Sequence, residues 1–167
     1  MEFDVVELPG TDHPEAGDTA PDFTRPLVGA EDWADASLSE LTDEGPVALV
    51  FYTMDGAFPG TYVWNEIRDR EWGEHAQVVG VSISTPYAHK RLIEDREMDY
   101  RLFSDPAADL ADAYGVENDL DGMTGITEHR PAVFLIDDDR TIQYAWVASE
   151  WPQFPDYDEV ETHLAEL

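Results

Sequence analysis

No cysteine occurs anywhere in these 167 residues. That absence excludes disulfides and cysteine-ligated zinc, and it removes the thiolate, the side chain that attacks peroxides and disulfides. Positive charge is scarce as well: 9 Lys+Arg stand against 38 Asp+Glu, a formal net charge of −29. Phosphate binding needs a basic footprint, so nucleic acid is excluded as a partner and an anionic membrane surface is disfavoured. No run approaches the ~20 apolar residues of a membrane span. The start, Met1-Glu2-Phe3-Asp4, has neither the basic residues nor the apolar stretch of a signal peptide. A soluble cytoplasmic protein is the expectation.

What is present is the composition of a folded domain. Hydrophobic residues at 43% and aromatics at 11% suffice for a core at this length, which argues for one globule rather than a disordered acidic chain. Acidic residues recur from Glu2 to Glu166 and accompany the structured segments. Their repulsion opposes compaction, and screening reaches about 10 Å at ~0.1 M salt but about 3 Å at ~1 M. The charge therefore predicts adaptation to molar salt, as in the cytosol of extreme halophiles.

Residues 1–16 read as an N-terminal extension with one apolar run, Phe3 to Leu8. It either adds an edge strand or drapes over a domain of residues 17–167. Gly17 to Phe23 is a turn into a short extended segment, and Ser37 to Leu41 a capped helical turn. Val47 to Tyr52, Gln77 to Ser84 and Ala132 to Ile136 are continuous apolar runs suited to strands buried on both faces. Helices are expected over Thr61–His75, Tyr87–Arg96, Asp105–Tyr114 and Asp156–Leu167. Tyr100 to Ser104 is a short strand, Glu117 to His129 an irregular connection containing Gly122 and Gly125, and Thr141 to Val147 a hairpin partner of 132–136. Alternating β and α followed by a hairpin and helix implies an α/β fold. It is a three-layer α/β/α sandwich of thioredoxin-like type with a mixed central sheet.

Three stretches resemble the peroxiredoxin family, the alkyl hydroperoxide reductase and thiol-specific antioxidant class. They are Gly17-Asp18-Thr19-Ala20-Pro21-Asp22-Phe23, the run from Gly45-Pro46-Val47 through Phe51-Tyr52 into the loop before Thr61, and Ala132-Val133-Phe134-Leu135-Ile136-Asp137. Val79-Gly80-Val81-Ser82, Phe103-Ser104-Asp105 and Ala113-Tyr114-Gly115-Val116 fall between them in family order. The acidic surface and Tyr144-Ala145-Trp146-Val147 place the likeness nearest the peroxiredoxin-like proteins of halophilic archaea. The resemblance implies a redoxin scaffold in an antioxidant context.

The departures fall on the catalytic positions. The family's active loop has the form Pro-x-x-x-Thr-x-x-Cys, and counting from Phe51 puts those residues at Thr53, Ala57 and Gly60. A count from Gly56-Ala57-Phe58 moves the cysteine position to Tyr62 instead. The family's arginine, three residues before the strand phenylalanine, falls on Pro131, with Arg130 preceding it. Thioredoxins carry a cis-proline at this place. A cis Pro131 would turn Arg130 toward residues 57–62, whereas a trans proline would simply start the strand.

Other chemistry is thinly represented. His13, His75, His89, His129 and His163 show no metal-binding spacing. Asp137-Asp138-Asp139 lacks the glycine a calcium loop needs, since Ile142 stands there. No nucleophile elbow, phosphate loop or dinucleotide fingerprint is present, so neither a cofactor nor a metal is expected. His129, in Glu128-His129-Arg130, is either an acid–base group or, more in keeping with its place, a surface loop histidine. Met54, Tyr62 and Trp64 either line a pocket at the old active site or pack over the sheet. Trp146, Trp151 and Phe154 form either a homodimer face or core under the last helix. The expected function is a peroxiredoxin-type protein without peroxidase activity that binds itself, a redox partner or a small ligand. The alternative is an enzyme with non-cysteine chemistry.

Overall fold

The computed structural model describes residues 4–118 and 123–167. Gly122, expected in the irregular connection, and the first three residues of the extension lie outside them. The strands are β1 (Val6–Glu7), β2 (Thr24–Val28), β3 (Trp33–Ser37), β4 (Val47–Phe51), β5 (Gln77–Ser82), β6 (Arg101–Ser104), β7 (Glu117–Asn118), β8 (Glu128–His129), β9 (Ala132–Ile136), β10 (Ile142–Val147) and β11 (Glu150–Trp151). The helices are α1 (Leu38–Glu44), α2 (Phe58–Asp69), α3 (Pro86–Arg96), α4 (Asp109–Ala113) and α5 (Tyr157–Leu164).

Seven strands form one mixed sheet in the order β10-β9-β4-β5-β6-β2-β3. The pairs β4–β5 and β5–β6 are parallel, and β9 runs antiparallel against β4. Because β4, β5 and β6 advance across the sheet in one direction, right-handed crossovers put α2 and α3 on the same face. The chain then steps back to β9, and α4 lies on the other face. Side chains of β4 separate accordingly. Val47, Leu49 and Phe51 join Leu38 and Leu41 of α1 and Leu110 of α4, while Ala48 and Val50 join Trp64, Ile93 and Val160 of α2, α3 and α5. The expected three-layer arrangement is present, with a core on each side of the sheet.

Glycine at position 80 is a packing requirement. A Cβ there would meet Trp64 Cζ2 at 2.4 Å and Leu102 Cδ2 at 2.6 Å, so the bare strand leaves a notch that the Trp64 indole fills.

Several elements differ from expectation, among them the connection 117–129, whose two ends pair as the antiparallel strands β7 and β8. Helix α2 starts at Phe58 rather than Thr61, because Pro59 suits a first turn, and it ends at Asp69, with a short 3-10 turn at Trp72–Glu74. Helix α4 is shorter than expected, since Ala108 is left-handed at φ 61° and Asp105 folds back to accept the amides of Leu110 and Ala111. The edge hairpin β2–β3 was not expected. Pro26 and the mixed run Trp33-Ala34-Asp35-Ala36-Ser37, which has no continuous apolar stretch, hide it. The extension does not add to the edge of the main sheet: β1 pairs with β11 in a separate two-stranded ribbon, and Leu8 N donates to Ser149 O.

Candidate functional site

Ligand sites in such sheets lie outside the carboxyl ends of the parallel strands. Here that edge gathers Tyr52 and Thr53 after β4, the end of β5, Asp105 after β6, and His129 to Pro131 before β9. The loop 53–57 crosses in front of it. Asp55 N donates to Ser84 Oγ at 2.8 Å, which ties the loop to the segment after β5.

The degenerate catalytic positions do come together. Thr53, Gly60 and Pro131 line one cavity of about 10 Å³ with Pro59 and Val63, room for roughly a single water. Thr53 is buried and its Oγ1 has no hydrogen-bond partner. Gly60 sits in the first turn of α2, where a Cβ would lie 3.0 Å from Tyr52 Cδ2. Ala57 is the N-cap residue and offers no side-chain cap. Of the two alternatives for Pro131, the Arg130–Pro131 bond is trans: β9 runs straight from Ala132, and Pro131 O accepts from Ala148 N at 2.9 Å.

Arg130 accordingly points away from the loop. Its Nη1 donates to Pro9 O at 2.9 Å and Ala148 O at 3.2 Å, and its Nη2 to Asn118 Oδ1 at 2.7 Å. Burial lowers its pKa. It clamps the extension to the domain. His129 is not a surface loop residue; it is wholly buried in β8. One ring nitrogen meets Asp105 Oδ2 at 2.9 Å and the other Val81 O at 3.3 Å. Each ring nitrogen therefore faces an acceptor. Burial works to raise the Asp105 pKa, but the bond and charge of His129 and the amides of Leu110 and Ala111 outweigh it and hold the carboxyl below its usual range.

Of the expected pocket residues, Met54 and Trp64 border a second cavity of about 10 Å³ beside Tyr52 and Asp55. Tyr62 is exposed and stacks between Phe58 and Phe154, with centroids at 4.6 and 6.2 Å. Trp146 packs against the core, Trp151 is half-buried in β11, and Phe154 is exposed.

A second buried cluster escaped the sequence reading. Tyr52 OH donates to Asp55 Oδ1 at 2.5 Å, His89 Nδ1 lies 2.8 Å from Asp55 Oδ2 and 3.3 Å from Tyr52 OH, and His89 Nε2 donates to Phe103 O at 2.9 Å. Tyr52 and His89 are buried. Burial, and then the Asp55 charge, pushes the Tyr52 phenol well above its ordinary pKa. No local motif joins residues 52, 55 and 89. The available signal was a polar Asp55 inside a loop bounded by buried strand and helix, and a histidine on the inner face of α3.

The class defined by this sheet, its crossovers and the emptied position at the start of α2 is a thioredoxin-like α/β domain of peroxiredoxin type. The AhpC/TSA family profile matches residues 16–145, and the chain belongs to that family. It is 30% identical over 141 residues to a chloroplastic 2-cysteine peroxiredoxin of Chattonella marina var. antiqua, covering 78% of this chain and 69% of that one. It is 29% identical over 163 residues to a thiol peroxidase of Oceanobacillus iheyensis, covering 96% and 94%. Among solved structures, peroxidoxin BcpB from Mycobacterium tuberculosis superposes with a TM-score of 0.75 at 27% identity, over 92% of this chain and 96% of that one.

Proposed function

We propose that this protein is a peroxiredoxin-family scaffold that has lost thiol peroxidase activity and acts by binding, in the first place to a second copy of itself. The observation that carries the reading is the closed site: the cavity among Thr53, Gly60 and Pro131 is about 10 Å³, too small for a nucleophile and a peroxide together. The alternative enzyme reading relied on His129, Arg130 and Tyr62. One is paired inside the sheet edge, one clamps the extension, and one faces solvent, so they do not converge on a reacting atom. The exposed stack of Phe58, Tyr62 and Phe154 beside the closed site supports self-association. An apolar patch that a two-fold axis can match to itself offers contact free of like-charge repulsion. The charge of −29 supports a cytosolic setting rich in salt.

The test is hydrogen peroxide consumption in molar salt with a thiol reductant, with and without chelator, on the wild type and Gly60→Cys. Both are expected to match the protein-free rate, because the cavity beside position 60 has no room for a peroxide next to a thiol. Chelator-resistant turnover by the wild type overturns the loss of activity, and rapid turnover by Gly60→Cys overturns the closed-site argument. Sedimentation equilibrium in the same buffer is expected to give a dimer that Tyr62→Lys weakens. A monomer at all concentrations refutes self-association.

A further inference from the structure

Tyr52 combines three properties that a side chain needs in order to lose one electron reversibly. It is buried, so its radical is shielded from solvent and from other chains. Its hydroxyl already donates to a carboxylate at 2.5 Å, with an imidazole at 3.3 Å. It also stands at the inner end of a line of oxidisable rings. The Tyr52 and Trp64 centroids are 5.5 Å apart, and those of Trp64 and Tyr100 are 5.9 Å apart. Tyr100 in turn lines an open cleft of about 520 Å³ with Arg68 and Arg101.

We propose that Tyr52 is a one-electron redox centre, with Asp55 as its proton acceptor, His89 as the positioning residue for that carboxylate, and Trp64 and Tyr100 as a relay to the cleft. The substrate class is small one-electron oxidants such as organic peroxyl radicals. A peroxyl radical in the cleft takes one electron from Tyr100 and one proton from solvent and becomes a hydroperoxide. The vacancy passes to Trp64 and then to Tyr52. There the phenolic O–H bond breaks, the proton moves to Asp55 Oδ1 and a neutral phenoxyl radical remains. A one-electron reductant of the enediol class returns the electron, and Asp55 returns the proton.

The proton inventory supports this direction of flow. His89 Nε2 donates to Phe103 O, and His89 Nδ1 lies 2.8 Å from Asp55 Oδ2, which leaves Asp55 Oδ1 as acceptor for the phenol. Trp64 Nε1 is buried beside the Tyr52 hydroxyl, so the indole lies next to the group where the vacancy comes to rest and acts as a stepping stone. Tyr52, with a base in place, is where the vacancy comes to rest. The chemistry needs no thiol, which suits a chain with none.

The experiment is flash photo-oxidation of the purified protein with a ruthenium polypyridyl sensitiser and a sacrificial electron acceptor, read by electron paramagnetic resonance and transient absorbance. The wild type is expected to give a long-lived neutral phenoxyl signal whose formation slows in deuterium oxide. Tyr52→Phe keeps the ring and loses that component. Asp55→Asn shortens its lifetime about tenfold, the factor associated with one hydrogen bond to a charged group. Trp64→Phe slows its formation by a similar factor. A long-lived signal that survives Tyr52→Phe, or the absence of a deuterium effect in the wild type, overturns the proposal without relying on the stability of the Asp55 variant. Peroxide consumption is a two-electron measurement and leaves this result independent of the scaffold reading.

Discussion

Replacing Asp105 by asparagine removes one charge from a buried pair and little else. The carboxylate receives His129 Nε2 at 2.9 Å, the amides of Leu110 and Ala111 at 3.1 and 3.2 Å, and Arg25 Nε at 3.3 Å. Asparagine can present its oxygen to His129 and the two amides, but its amino group then faces the Arg25 guanidinium, donor against donor. Breaking a buried ion pair from one side costs about 3–5 kcal/mol. The retained hydrogen bonds place Asp105→Asn near ~3 kcal/mol. At about 2–4 °C per kcal/mol for a chain of this size, the Tm falls by roughly 6–12 °C. The assay is thermal and denaturant unfolding in molar salt near neutral pH, with Asp105→Asn, His129→Gln and the double variant forming a cycle. The pH dependence carries a sign. Asp105 is held below its unfolded pKa, so its contribution is complete above the unfolded value of about 3.9. It is lost as pH falls through the lower folded value, and the gap between wild type and variant closes there. A loss under ~1 kcal/mol, or a gap that widens in acid, refutes the pairing.

The remaining predictions concern packing, charge and the extension. Gly80→Ala drives a methyl into Trp64 and Leu102 at 2.4 and 2.6 Å, and denaturant melts should show a loss of at least about 1–3 kcal/mol. Thermal midpoints should rise steadily from ~0.1 M to molar salt, since exposed carboxylates repel over shorter distances there; a flat profile refutes salt adaptation. Arg130→Ala cuts the bonds to Pro9 O and Ala148 O, and limited proteolysis should then cleave the extension several-fold faster while the domain stays intact.

The sheet was legible because its central strands are buried on both faces and are written as unbroken apolar runs. Val47 to Phe51 and Ala132 to Ile136 need no partner in the sequence to be recognised. The edge hairpin was not, because Arg25, Pro26 and Asp35 interrupt any apolar period, and the partner of Arg25, Asp105, is distant in the chain. The closed catalytic positions were identified through the family order of the loop, and the structure brings Thr53, Gly60 and Pro131 to one cavity. His129 was mistaken because a polar trio resembles a loop, whereas its partner Asp105 lies 24 positions away and only the fold makes the pair. Tyr52, Asp55 and His89 were missed for the same reason: one loop and a distant helix supply one proton network.

The contact between Gly60 and Tyr52 also bears on ancestry. A cysteine returned to position 60 meets a ring that Asp55 and His89 hold by its hydroxyl. A single-step reversal therefore sets its new Cβ 3.0 Å from that ring, which must give by a few tenths of an ångström against the hydrogen bonds that hold it. Stiffness built beneath the loop thus opposes the one substitution that would restore a thiol at this position.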